Sequence, residues 1–289
     1  MNKRILFTGA TSGLGKYAAC ELAYKGNQVL VLARNKERGI QLTDFYRSNY
    51  PNGKGTLSIV ECDLSSFESI TKASIEIKKT LPVIDALINN AGIWNFQYKT
   101  SKNNIEETFH VNVLAPLLII HLMLKNLEKS SDARIINTAS AYHFGSIDFD
   151  NIEMKENYSG ANAYRQSKLS VVLFTRHIHQ LLSKSNITCY SLHPGVISTD
   201  LTREGSKLFQ ILFNLVGSSP QKGAQPLIYL TTTSKELLKN GEYYSKKKAK
   251  RSKPESNNLQ TAEKLFNLSQ KYLKNYLKFD SLIYSTREQ

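Results

Sequence analysis

The chain has 289 residues, 41 % of them hydrophobic, with ordinary glycine and proline contents, a composition that suits a soluble globular protein with one sizeable α/β core. Cys20, Cys62 and Cys189 are scattered without a Cys-x-x-Cys pair, which excludes a disulfide framework or cysteine zinc site and fits a reducing cytoplasm. The net charge of +14 suits an anionic partner without choosing among a phosphorylated cofactor, nucleic acid and a membrane surface.

The amino terminus runs through the β-like segment Arg4 to Thr8 straight into Gly9, so no signal peptide or membrane anchor is expected. Gly9, Thr11, Ser12, Gly13, Leu14 and Gly15 then lead into a predicted helix, Leu14 to Lys25. Glycines between a strand and a helix let backbone N–H groups approach a pyrophosphate, which the helix N-terminus also favours. The spacing is Gly-x-x-x-Gly-x-Gly, so the general Gly-x-Gly-x-x-Gly fingerprint is not met.

A second strand, Gln28 to Ala33, ends on Arg34, about 20 residues beyond the glycines, where an NAD-preferring site places a carboxylate. A cation there would pair with a 2′-phosphate and stack on adenine, predicting NADP(H), with Arg38 or Lys36 assisting. The alternative is a surface arginine at a strand end.

Further strands are predicted at Thr56 to Glu61, Ala86 to Asn89, Arg134 to Thr138 and Thr188 to His193, with a seventh near Glu242 to Tyr244. Helices are predicted at Ser65 to Thr80, Asn104 to Leu127, Tyr164 to Leu182, Gln221 to Thr232 and Asn257 to Lys278. Short buried runs alternating with amphipathic segments predict a doubly wound parallel sheet of about seven strands with helices on both faces. The apolar run from Val113 to Leu124 is interrupted by Pro116 and His121; it is shorter than the roughly 20 residues of a bilayer span and reads as a core helix, so no transmembrane segment is expected. His177 and His179 stand two apart, not on one helix face, and no metal is implied.

Tyr-x-x-x-Lys occurs five times, starting at Tyr50, Tyr98, Tyr164, Tyr243 and Tyr244. Only the Tyr164–Lys168 copy opens a helix downstream of a buried strand ending in a hydroxyl, Ser140. A carbonyl that accepts hydride needs a proton donor within hydrogen-bond reach. Tyr164 can supply it if its pKa falls by about 3 units from 10, or about 4 kcal/mol. Lys168, one turn on, offers roughly 3 kcal/mol toward the phenolate at about 5 Å and an effective dielectric of about 20.

Together these motifs resemble the short-chain dehydrogenase/reductase family over roughly residues 3 to 245. That resemblance implies a Rossmann fold and an oxidoreductase using a nicotinamide cofactor. Asp63 and Leu64 resemble the family's adenine-binding pair after the third strand, and Asn90, Ala91 and Gly92 its segment beside the cofactor. Asn112 resembles the asparagine of the catalytic tetrad, holding a water in the proton relay beside Ser140, Tyr164 and Lys168. Pro194, Gly195, Ile197 and Thr199 resemble the clasp on the nicotinamide carboxamide. Read singly, Asp63 is equally a helix cap, Gly92 a turn glycine, Asn112 a core polar group and Pro194–Gly195 a loop breaker.

The interval of 24 residues between Ser140 and Tyr164, with His193-Pro-Gly-Val196 and Gly241-Glu-Tyr-Tyr244, is similar to the retinol dehydrogenase and WW-domain oxidoreductase branch. That likeness does not make retinol the substrate; a lipophilic aldehyde or ketone is expected from the apolar residues over 208–215, a steroid, quinone or pigment precursor is the alternative, and a non-catalytic NADP(H) sensor the competing class. The family is commonly a homodimer or homotetramer through the helices carrying Asn112 and Tyr164.

The organisation expected is one domain over 1–289: a cofactor-binding and catalytic core over 1–195, a substrate lid over 196–240 and a basic tract with terminal helix over 245–289. In the lid, Leu208, Phe209, Ile211, Leu212, Phe213 and Leu215 suit a lipophilic substrate or ordinary packing, with Trp94 and Tyr142 nearby. The tract Lys246 to Lys253 reads as a solvated loop, without a nucleic-acid motif that would make it the primary partner site.

Overall fold

A computed structural model describes residues 2–195 and 219–277. Ile197, Thr199, the apolar lid residues 208–215 and the chain beyond 277 lie outside the described residues. Six strands form over the expected bounds: β1 (Arg4–Thr8), β2 (Gln28–Ala33), β3 (Thr56–Glu61), β4 (Ala86–Asn89), β5 (Arg134–Thr138) and β6 (Thr188–His193). The expected seventh is β7 (Tyr243–Ser245). Their order is β3-β2-β1-β4-β5-β6-β7, all parallel, and an eighth strand, β8 (Lys248–Lys250), pairs antiparallel with β7 at the sheet edge.

The sheet is covered on both faces, which is why its central strands are apolar at nearly every position. On one face lie α1 (Gly13–Tyr24), α2 (Lys36–Asn49) and α6 (Pro220–Thr232), packed on Ile5, Phe7, Val29 and Val31. On the other lie α3 (Phe67–Thr80), α4 (Glu107–Glu128), α5 (Gly160–Leu181) and α7 (Leu259–Leu273), packed on Leu6, Leu30, Leu87 and Ile135. Helix α4 is long and apolar enough to cross a membrane by composition, yet 94 % of that window is buried within the protein. It is the core helix that Val113 to Leu124 suggested, with burial of each Leu or Ile contributing about 1.5–3 kcal/mol.

Two elements depart from expectation. Helix α2, whose Asn35 side chain accepts the Arg38 N–H, buries only Gly39, Leu42 and Tyr46, too few for a clear apolar period. The basic tract is a hairpin and not simply a loop. Lys246 and Lys247 form its two-residue turn at φ 50° and 65°, the left-handed conformation that type I′ hairpins require and that Asn-Gly adopts more readily than lysine. Each left-handed lysine costs about 1–2 kcal/mol. Replacing Lys246–Lys247 with Asn-Gly is expected to stabilise the fold by about 1–2 kcal/mol, read as a higher urea midpoint at unchanged slope.

Candidate active site

At the carboxyl ends of the strands lies a cleft of about 520 Å³. The sheet order places it where β1 has β2 on one side and β4 on the other, the switch point at which open α/β sheets bind ligands. Gly9, Thr11, Ser12, Gly13, Leu14 and Gly15 line one end. The chain there is pressed so closely that a Cβ on Gly9 would stand 2.6 Å from Ala91 and one on Gly15 would stand 2.0 Å from the Gly9 carbonyl oxygen.

Each of the other α-helices among the described residues has a side-chain cap: Asn35, Ser66, Glu106, Ser159, Ser219 and Asn258 accept first-turn N–H groups. Helix α1 has none, and no acidic residue in its first turn. Its N-terminal N–H groups and positive dipole end therefore face a cleft fit for an anion.

Asn90 ties three strands together. Its Nδ2 donates to the Gly9 carbonyl at 2.9 Å, its Oδ1 accepts from Thr138 Oγ1 at 3.2 Å, and its backbone N–H donates to Thr8 Oγ1 at 3.1 Å. Ala91 and Gly92 continue along the cleft wall, with Asp63 and Leu64 at the β3 end and Pro194 and Gly195 at the β6 end. Arg34 and Arg38 line the cleft beside α2, and both are exposed. Asp63 is not the cap of α3, a role taken by Ser66; its carboxylate accepts from Ser65 at 2.8 Å and pairs with Lys102 at 2.9 Å.

Ser140, Tyr164 and Lys168 converge on the opposite wall. The Tyr164 hydroxyl hydrogen-bonds the Ser140 side chain, and Lys168 Nζ donates to the Thr138 carbonyl at 3.0 Å. The Lys168 Nζ stands 5.6 Å from the Tyr164 ring centroid. Burial pushes the Tyr164 phenol up to about 12, opposed by the Ser140 hydrogen bond, and pushes Lys168 down to about 8. The direction differs from the expected lowering: desolvation of the buried phenolate sets it, and Lys168, itself pushed toward its neutral form and donating to a carbonyl, does not offset it.

Asn112 stands behind Gly92 and not on the cleft wall. It lies in a π-helical stretch, His110–Leu114. Its Oδ1 accepts the Ile93 N–H at 2.8 Å, and its Nδ2 donates to the Ile93 carbonyl and to Ser167 Oγ, both at 2.9 Å. A Cβ on Gly92 would stand 3.1 Å from Lys168 Nζ and 3.4 Å from Asn112 Oδ1, so the asparagine and lysine flank one backbone position.

Sequence reasoning missed two histidines. His193 lines the cleft and accepts the Ala141 N–H on Nδ1 at 3.2 Å. Buried His143 lies 2.6 Å from the Ser140 carbonyl through Nδ1, and its Nε2 accepts the Lys253 N–H at 3.0 Å. The second bond makes it a neutral imidazole with its proton on Nδ1. Both histidines hold the Ser140–Ala141 peptide, and the bonds of His193 to Ala141 and of Lys253 to His143 join positions far apart in the chain, which no local motif signals.

Trp94, the sole tryptophan, lies parallel to the Tyr164 ring at 4.5 Å and an interplanar angle of 6°, with Tyr142 at 6.1 Å. Both line the cleft, as the apolar-pocket expectation had them.

The family model for short chain dehydrogenase matches residues 3–207. The chain belongs to the short-chain dehydrogenase/reductase family. Human retinol dehydrogenase 14 is 33 % identical, over 93 % of this chain and 85 % of its own length. Human retinol dehydrogenase 13 is also 33 % identical, over 91 % and 82 %. Among solved structures, an uncharacterised protein from Mycobacterium paratuberculosis superposes with a TM-score of 0.76 at 23 % identity, over 94 % of this chain and 93 % of its own. The NADPH-bound carbonyl reductase from chicken fatty liver gives 0.66 at 24 % identity, over 87 % and 99 %. These two share the fold. As a member of the family, the protein is an oxidoreductase that acts on alcohol or carbonyl groups with a nicotinamide cofactor.

A Gly15→Ala substitution places a methyl group against the Gly9 carbonyl. It is expected to weaken nicotinamide-cofactor binding by at least about tenfold, measured as energy transfer from Trp94 to the reduced nicotinamide.

Proposed function

We propose that the protein is an NADP(H)-dependent oxidoreductase that interconverts a lipophilic aldehyde or ketone and its alcohol, with Tyr164 as the proton-transferring group. The observation that carries this reading is the convergence, in one cleft, of the uncapped α1 N-terminus, Arg34 and the Ser140–Tyr164–Lys168 cluster. The bound nicotinamide supplies or takes the hydride. The glycine loop holds the pyrophosphate, Arg34 and Arg38 the 2′-phosphate, and Asn90 to Gly92 with Pro194 and Gly195 the nicotinamide end.

Ser140 Oγ orients the substrate oxygen and Tyr164 donates its proton as negative charge develops there. A phenol held at about 12 is fully protonated at neutral pH, the form that carbonyl reduction requires. Lys168 stabilises the phenolate left behind, and Asn112 fixes the Ile93 backbone beside it. Trp94 and Tyr142 give the substrate end of the cleft its apolar wall. The naming of the relatives as retinol dehydrogenases agrees with a lipophilic alcohol or carbonyl. On this reading the described residues form one domain, and the three free, buried cysteines suit a reducing cytoplasm.

We further infer that the chain is a monomer. The faces of α4 and α5 through which the family commonly pairs are occupied by α7. Leu117, Ile120 and His121 of α4 and Ile178 of α5 face Phe266, Ser269 and Leu273 across a gap of only about 20 Å³. Tyr272 stacks edge-on with Phe109 at 5.6 Å and donates to Glu153 at 3.0 Å.

Tyr164→Phe is expected to lower kcat for carbonyl reduction by about 10²–10⁴-fold while NADPH still binds; retained turnover would discard the mechanism. Reduction needs the Lys168 ammonium, so the rate is expected to fall as pH rises through about 8. Arg34→Glu is expected to weaken NADPH binding about 10–100-fold and leave NADH within a few-fold. NADPH binding without oxidation by any aldehyde or ketone would instead indicate a nucleotide sensor. Sedimentation equilibrium is expected to give the 32.6 kDa mass of one chain; a dimer would displace the monomer assignment.

A further inference from the structure

The oxidoreductase reading leaves the basic hairpin without a role. Lys246, Lys247, Lys248, Lys250, Arg251 and Lys253 are all exposed, and none of them forms an ion pair among the described residues. Glu255 is the sole carboxylate between Lys246 and Asn258. Protection of a sheet edge by charge explains Lys248 and Lys250 on β8. It does not explain Lys246 and Lys247, which sit in left-handed conformations that lysine adopts at a cost. Lys247 Nζ donates to Gln225 Oε1 of α6 at 3.1 Å, and strain of this kind at Lys246, kept where a more comfortable residue exists, points to a use for its side chain.

The position of the hairpin identifies that use. In the parallel register His193 of β6 stands beside Ser245 of β7, and His193 lines the cleft. The lysine turn that follows Ser245 therefore leaves the sheet at the same edge as the cleft.

On the loop that follows β5, two aromatic side chains stand open: Tyr142 is 46 % exposed and Phe144 39 %, their rings 5.7 Å apart. Arg165 donates to the Phe144 carbonyl and lies 5.8 Å from its ring. His143, between these two aromatics, lies 4.5 Å from the Tyr243 ring and accepts the Lys253 N–H. Tyr243 in turn pairs in register with Lys250. Aromatic loop and basic hairpin are thus linked through a buried histidine, on the side of the sheet edge where the cleft lies.

Open aromatic rings on a loop joined to a hairpin whose cations form no ion pair among the described residues match the interface of an anionic bilayer, where rings settle at headgroup level and each lysine is drawn by the surface potential. We propose that this surface docks the mouth of the cleft onto an anionic phospholipid bilayer, so that a lipophilic substrate enters from the membrane. Docking stands independently of the chemistry; only its use in substrate delivery rests on the oxidoreductase reading.

The test is co-sedimentation of the full chain with vesicles of phosphatidylcholine containing about one-third phosphatidylserine, against pure phosphatidylcholine. Binding is expected to the anionic vesicles alone and to decline steeply with salt. Combined Lys246→Gln, Lys247→Gln, Lys248→Gln and Lys250→Gln substitution is expected to weaken it at least about tenfold. Phe144→Ser alone is expected to weaken it about threefold or more, with turnover of a water-soluble aldehyde unchanged, which also reports that the variant is folded.

Equal binding to neutral vesicles, or unchanged binding by the four-lysine variant, would overturn the proposal. Displacement from vesicles by a single-stranded oligonucleotide, with Phe144→Ser as effective as the parent, would reassign the surface to a nucleic acid. A protein that docks but oxidises no NADPH leaves docking standing and removes only the chemistry.

Discussion

The handedness of strand crossovers is the constraint on which the rest of this structure depends. A strand, crossover and parallel strand wind to the right, so moving from β1 to β2 and β3 puts α1 and α2 on one face of the sheet. Moving the other way, to β4 and β5, puts α3 and α4 on the other face. At the carboxyl end of β1 the two sets of connections part. The opening is held by short-range contacts: Asn90 joins β4 to the Gly9 carbonyl and to Thr138 on β5, while the missing side chains of Gly9 and Gly15 let the loop close over Ala91.

A cluster made of buried polar groups carries a cost that the surrounding core has to absorb. Lys168 is 4 % exposed and Tyr164 6 %, and each is pushed toward its neutral form by desolvation. The single carbonyl of Thr138 that accepts from Lys168 offsets part of this. The fold keeps such groups because β5 and α5 are held by far more apolar contact than the pair can undo: Ile135, Ile136, Leu169, Val172, Leu173 and Phe174 are each 0–1 % exposed. Their rigidity sets the distance between Ser140 and Tyr164, and Trp94 stacked on the phenol restrains the ring.

The parts of this arrangement that are local in sequence were legible there. Strands β1 to β6 are short, mostly apolar and bounded by glycine or polar residues, with edge strand β3 the most exposed, so their limits could be read directly. The glycine loop, Arg34 and Tyr164–Lys168 sit at element ends, and the structure brings them to one cleft. The remainder depends on contacts that a linear pattern does not carry. Helix α2 buries too few residues to declare itself. Strand β8 is a strand because Ala249 packs beneath Tyr244 and its neighbours, which a run of lysines hides. The direction of the Tyr164 shift follows from burial, whereas the sequence shows the lysine and not the enclosure. His143 and His193 act through Ser140 and Ala141 from positions separated by up to 110 residues from their partners.

The carboxyl-terminal third divides the outer surface of the molecule between concealment and display. Helix α7 buries Leu265, Phe266 and Leu273 against α4 and α5, and its Tyr272 with neighbouring Tyr276 reaches Glu153 and Glu68. It thereby covers the apolar side of two helices that would otherwise need a partner chain. The β7–β8 hairpin buries Tyr243 in one core and Tyr244 in the other, extends the sheet by one strand and leaves its cations exposed. Because β7 runs parallel to β6, those cations emerge at the edge where the cleft opens and not at the opposite edge, beside the amino ends of the strands. The α4–α5 side is packed against α7 from within the chain, whereas the carboxyl edge of the sheet carries the cleft with Ser140, Tyr164 and Lys168.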